Sequence, residues 1–115
     1  MASVAAGAAD QIRVRDLLID RERYLVTVAG RPVALTYRQF EALVRIAEAG
    51  GRVVTYEDLG RALWDAPASS ATKRRIAVIM CRLRSQLGET ASYIDTVRPV
   101  GYRLAPFATS RPGDP

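Results

Sequence analysis

The sequence has 115 residues, 49% of them hydrophobic, which suits one domain with a single modest core. One cysteine and no histidine exclude an internal disulfide framework, the usual zinc sites and any serine–histidine triad. The net charge is +5, and all of it lies in residues 72–104: nine arginines balance nine carboxylates before that stretch, and Arg111 balances Asp114 after it.

Residues 1–10 and 106–115 read as disordered tails around a domain spanning 11–105. Met1–Ala9 is alanine-rich and lacks the basic start and long apolar run of a signal peptide. No apolar run approaches the roughly 18 residues of a membrane span, so the cytoplasm is the expected compartment. Gln11–Ile19 and Tyr24–Leu35 show partial apolar alternation, in Ile12/Val14, Leu17/Ile19 and Leu25/Thr27. They predict an antiparallel sheet of three or four strands, with turns near 20–23 and at Gly30-Arg31-Pro32.

Thr36 opens a helix, with Gln39 at capping-box spacing. Phe40, Leu43, Val44 and Ala47 follow on one face, and Gly50-Gly51 ends it. Thr55 caps the next helix, with Glu57 and Asp58 at its positive end. Leu59, Ala62, Leu63 and Trp64 form its expected buried side. Asp65–Ser70 reads as a loop broken by Pro67 and two serines.

Residues 72–87 form the third helix, with Gly88 at its end. On a wheel of about 100° per residue, Ile76, Met80, Leu83 and Leu87 make one apolar stripe. Arg74, Val78, Cys81, Arg82 and Ser85 fall opposite, with Arg75 at the edge. One face is therefore expected to pack, and the other to meet a partner. Tyr93–Val97 and Tyr102–Leu104 read as a hairpin around Arg98-Pro99-Val100-Gly101. The order is sheet, helix, helix, loop, charged helix, hairpin. That is an α+β winged helix-turn-helix, with a helix fit for a major groove and an arginine on a hairpin wing fit for the adjacent minor groove. A localised basic surface of this kind is the footprint of a nucleic-acid binder.

The chain resembles the OmpR/PhoB-type winged-helix DNA-binding domains of bacterial response regulators. The matching stretches are Val33–Phe40, Gly51–Leu59, Leu63-Trp64, Arg82–Gly88 and Ile94–Leu104. The resemblance implies sequence-specific binding of double-stranded DNA by a transcription regulator or its output domain. It implies a monomer in isolation and a tandem pair on DNA, with loop 65–70 touching RNA polymerase. Carried over by position, Arg75, Val78 and Arg82 are expected to read base edges, and Arg74 and Arg84 to meet phosphate or the groove edge; Lys73 is also expected among the DNA-binding residues. Arg98 is the expected minor-groove residue of wing 98–101. Trp64 is expected to pack rather than touch DNA.

The chain departs from the family at Ala77 and Ile79, where a polar or acidic residue and then a histidine are common. It also departs at Cys81, where a basic residue is common, and at Pro99, where glycine is usual. Pro99 stiffens the turn, while Ala77, Ile79 and Cys81 favour the alternative reading, a protein-interaction winged helix that has lost DNA reading. Catalysis, cofactors and metals are not expected: there is no phosphate-cradling glycine loop and no metal set, and Glu57 and Asp58 are explained as helix-terminal charges.

Overall fold

The computed structural model describes residues 10–106, so the expected tails fall almost wholly outside the described residues. Four short strands come first: β1 (Gln11–Val14), β2 (Leu17–Asp20), β3 (Leu25–Val28) and β4 (Arg31–Val33). They pair antiparallel in the order β1-β2-β3-β4. Period-two alternation places Val14, Leu17, Ile19, Val26 and Val28 on the buried face. The β3–β4 turn is Ala29-Gly30, with φ of 51° and 83°, a two-residue hairpin turn whose twist matches its strands. This corrects the turn expected at 30–32. Pro32 lies within β4, opposite Thr27, and an edge strand tolerates a residue without an N–H.

Helix α1 (Tyr37–Glu48) starts at Thr36 with both capping-box bonds made. Its face of Phe40, Leu43, Val44, Ile46 and Ala47 is buried. Strand β5 (Val54–Thr55) leads into α2 (Tyr56–Trp64), where Thr55 and Asp58 cap each other reciprocally at 3.0 and 3.1 Å. Leu59, Gly60 and Leu63 are its buried residues. Ala62 and Trp64, expected on that side, are only half-buried. Trp64 still packs against the core; α2 ends there, with Asp65 left-handed at φ 52°, and the chain turns back over the helix. The Ala66 N–H donates to the Gly60 carbonyl at 3.1 Å.

Helix α3 runs Ser70–Leu87 and buries Thr72, Ile76, Met80, Leu83 and Leu87. It begins two residues before the expected 72. Ser69 is its N-cap, accepting from the Thr72 N–H at 3.1 Å, so a serine that reads as a break is instead a cap. A 3-10 turn, Gly88–Tyr93, follows; it has no counterpart in the sequence expectations. Strands β6 (Ile94–Val97) and β7 (Gly101–Leu104) close the fold in a three-stranded sheet of order β5-β7-β6. Among the described residues both sheets and helices α1, α2 and α3 share one core cluster. Among the described residues no helix is long and apolar enough to cross a membrane.

Candidate nucleic-acid interface

The core stripe of α3 determines what its other side offers. With Ile76, Met80, Leu83 and Leu87 turned inward, Lys73, Arg74, Arg75, Ala77, Val78, Cys81, Arg82 and Ser85 are exposed. Val78 is 49% exposed, an apolar side chain left among cations. Ile79, by contrast, is half-buried and packs on the core. It is therefore no part of the outward face, and this departure from the family pattern lies on the packing side.

The first turns of α3 lean on α2 through rings. The Arg75 guanidinium lies 4.3 Å over Trp64, and Arg38 of α1 lies 5.6 Å from the same ring. Arg38 Nε also donates to the Leu63 carbonyl at 3.3 Å. Trp64 is thus covered by two guanidiniums, an arrangement stabilised by the ring quadrupole. The Lys73 ammonium sits 5.5 Å over Tyr56. None of these ring contacts is written in a local sequence pattern, because each partner comes from another helix.

The wing is the β6–β7 hairpin, with a three-residue connection, Arg98-Pro99-Val100; Gly101 already pairs with Val97 and Thr55. The Arg98–Pro99 peptide bond is cis. Arg98 and Val100 are exposed. The Val100 N–H donates to Val97 O at 2.7 Å, and Val100 O accepts from the Tyr56 N–H at 3.1 Å. Gly101 is where β7 passes closest to β5: a Cβ there would stand 2.0 Å from Val54 O.

Two arginines of the basic segment are engaged inside the fold. Arg103 pairs across the hairpin with Asp95 at 3.6 Å. Arg84, expected at phosphate or the groove edge, donates to Ile94 O at 2.8 Å and to Thr96 Oγ1 at 3.0 Å on the wing. The cleft between α3 and the wing, about 360 Å³, is lined by Tyr56, Met80, Arg84, Thr96, Arg98 and Tyr102 among others. Burial, and then the neighbouring Tyr56, pushes the Tyr102 hydroxyl up to about 12, against the opposing pull of Arg84 and Arg98. The cations left facing outward are Lys73, Arg74, Arg75, Arg82 and Arg98. Among the described residues none of these five has a carboxylate partner within ion-pair distance.

The connection between α2 and α3 is held from below. Glu57 accepts from the Ala68 N–H at 3.2 Å and from Arg61 at 3.0 Å, and Ser69 N–H donates to Pro67 O at 2.9 Å. The expected loop 65–70 is one residue shorter, since Ser70 belongs to α3. Among the described residues no group of three or more acidic or cysteine side chains is placed to hold a metal.

The model of the family described as transcriptional regulatory protein, C terminal, matches residues 30–104. The chain is 34% identical over 103 residues to the sensory transduction protein RegX3 of Mycolicibacterium smegmatis, covering 86% of this chain and 45% of RegX3. It is 35% identical over 102 residues to the transcriptional regulatory protein CseB of Streptomyces coelicolor, covering 86% and 42%. The chain therefore spans less than half the length of these two relatives. Among solved structures, the Klebsiella pneumoniae RstA DNA-binding domain in complex with the RstA box superposes with a TM-score of 0.74 at 30% identity, covering 84% of this chain and 97% of that one. The Thermotoga maritima response regulator DrrB, an OmpR/PhoB homologue, superposes at 0.73 with 27% identity, covering 90% and 52%.

Proposed function

Because the chain belongs to the transcriptional regulatory protein C-terminal family, with the OmpR/PhoB-type winged helix as its fold, we propose that it binds double-stranded DNA sequence-specifically as a transcription regulator or its output domain. The observation that carries the reading is the cluster of five outward cations on α3 and the wing without carboxylate partners. The similar RstA domain is held in complex with its RstA box, which supports the same use here.

Arg82, on the outer face of α3, can fork onto a base edge, most often guanine. Val78 beside it offers a methyl-sized apolar contact suited to thymine. Arg74 and Lys73 supply phosphate contacts, which give affinity and register without sequence information. Arg75, lying on Trp64, serves as a groove-edge or base contact at the start of the helix. Arg98 enters the minor groove, where a narrow A·T-rich stretch focuses negative potential. Two copies on direct repeats about one helical turn apart suit groove geometry. The braced loop 65–69 is proposed to face RNA polymerase. An operator on bacterial DNA is reached from the cytoplasm, which is therefore the proposed location. The second reading, a protein-interaction winged helix, draws on exposed Ala77 and Cys81.

The test is selection of bound duplexes from a random pool, then titration of variants on the selected site. Arg82→Ala should cost about 1–3 kcal/mol and relax one base position. Arg98→Ala should weaken binding chiefly on sites with an A·T-rich flank, and little once the flank is changed to G·C. If neither variant alters affinity while circular dichroism reports an intact fold, this surface does not serve DNA and the protein-interaction reading takes over.

A further inference from the structure

Arg84 has the sequence position of a groove contact, yet its side chain ties two elements together. From the late turns of α3 its Nη2 donates to Ile94 O at 2.8 Å and Thr96 Oγ1 at 3.0 Å, both on β6. Its guanidinium carbon lies 5.7 Å from the ring centroid of Tyr102 on β7, the residue opposite Thr96. One helical side chain therefore holds both strands of the wing. The other end of the hairpin is tied through Tyr56, whose N–H donates to Val100 O and whose ring meets Tyr102 edge-on at 5.7 Å.

A hairpin of this size is marginal alone, and its attitude depends on what it is fastened to. β7 is fastened to β5 by the ladder at Val54 and Thr55. β6 is the outer strand of this sheet; Ile94 anchors its first residue in the core, and Arg84 ties it to α3 by hydrogen bonds. Arg98 lies two residues beyond Thr96, so the docking of β6 decides where the Arg98 guanidinium stands relative to Arg82. A cation donating to half-buried acceptors makes a stronger and more directional bond than a neutral pair, which suits a fixed angle between two reading elements.

The geometry points to Arg84 as a positioning residue that fixes the wing to the recognition helix and so couples minor-groove contact by Arg98 to base reading by Arg82. The coupling rests on the DNA-binding function proposed above; the fixing of the wing does not. A direct phosphate contact by Arg84 would behave differently. Its loss would add to that of Arg98, and the free protein's wing would be unchanged.

The experiment uses the full chain in two arms. In the first, amide hydrogen exchange is followed in the free protein for Arg84→Gln and Thr96→Val; the second variant keeps every charge. The amides of Thr96–Leu104 should exchange about tenfold or more faster in both, while those of α1 and the N-terminal sheet hold their rates. In the second arm the variants are titrated on the selected duplex, alone and combined with Arg98→Ala. Arg84→Gln and Arg98→Ala should each weaken binding about tenfold, and the double variant should be close to the weaker single one rather than a hundredfold down. Thr96→Val should lose preference for the A·T-rich flank although no cation has been removed. Unchanged wing exchange in both variants, or additive losses, would overturn the proposal. Should Arg82→Ala and Arg98→Ala leave binding untouched while the wing amides still loosen, the DNA reading fails and the fixing role of Arg84 stands.

Discussion

Single residues decide whether the wing closes. At Gly101 a methyl group would stand 2.0 Å from Val54 O and 2.8 Å from Thr55 Cα, both backbone atoms with little room to yield. Gly101→Ala should therefore destabilise the domain by about 1–3 kcal/mol in urea unfolding, and displace the wing in whatever stays folded. Tyr102 offers a pH test of the same seam. Its hydroxyl, raised from 10.0 to about 12 by burial and by Tyr56, favours the protonated form in the folded state. That contribution is complete below pH 10.0 and is lost as pH rises toward about 12. Tyr102→Phe should accordingly lose stability less steeply over that window than the parent chain does, and equal slopes in alkaline unfolding would contradict the assignment. Asp20 titrates the other way. The Arg23 N–H at 3.1 Å, with the Arg23 guanidinium beside it, holds its carboxyl below the usual carboxylate range against the opposing effect of burial. Its contribution is present at neutral pH and fades as acid protonates it.

At the scale of elements, α3 gives the plainest contrast. Met80→Lys should unfold the domain, because an unpaired ammonium in the core costs several kcal/mol out of a total of about 5–15. Ser85→Lys, on the exposed side, should leave the thermal midpoint nearly unchanged; two similar melts would mean that the helix is rotated. This stripe was legible because a 3.6-residue period writes burial directly into spacing. The caps at Thr36 and Thr55 were legible because each signal spans four adjacent residues. What escaped depends on distant partners. Ser69 looks like a breaker until Thr72 turns its N–H toward it, and Trp64, which packs on the core as expected, gives no local sign of the Arg38 and Arg75 guanidiniums over its ring. Nothing local to Arg84 announces its bonds to Ile94 and Thr96, because β6 supplies the acceptors from ten and twelve residues away. The β3–β4 turn shifted because Gly30 and Pro32 both signal turns, and only strand pairing decides which one does the turning. The five outward cations, in contrast, were all legible as candidates: the four on α3 because charge at a wheel position carries its own direction once the apolar stripe is known, and Arg98 because it sits at a hairpin tip.

For the whole molecule, charge should set the salt response. With five outward cations, and on the DNA-binding reading proposed above, the logarithm of affinity should fall with the logarithm of salt at a slope between about −3 and −5. A flat response would mean that phosphates are not being met. Non-specific duplex should bind in the range of about 10⁻⁴–10⁻⁶ M at physiological salt. The strand order β5-β7-β6 also has a meaning in time. β5 precedes α2 and α3, and its ladder partner β7 follows both, so a chain growing on the ribosome exposes the charged helix before the clasp around it can form. A chain arrested at Tyr93 would carry Lys73, Arg74, Arg75 and Arg82 with no wing and an unpaired β5. The wing can thus close only once β7 has been made, and on the DNA-binding reading proposed above the charged helix is until then a polycation without its minor-groove partner.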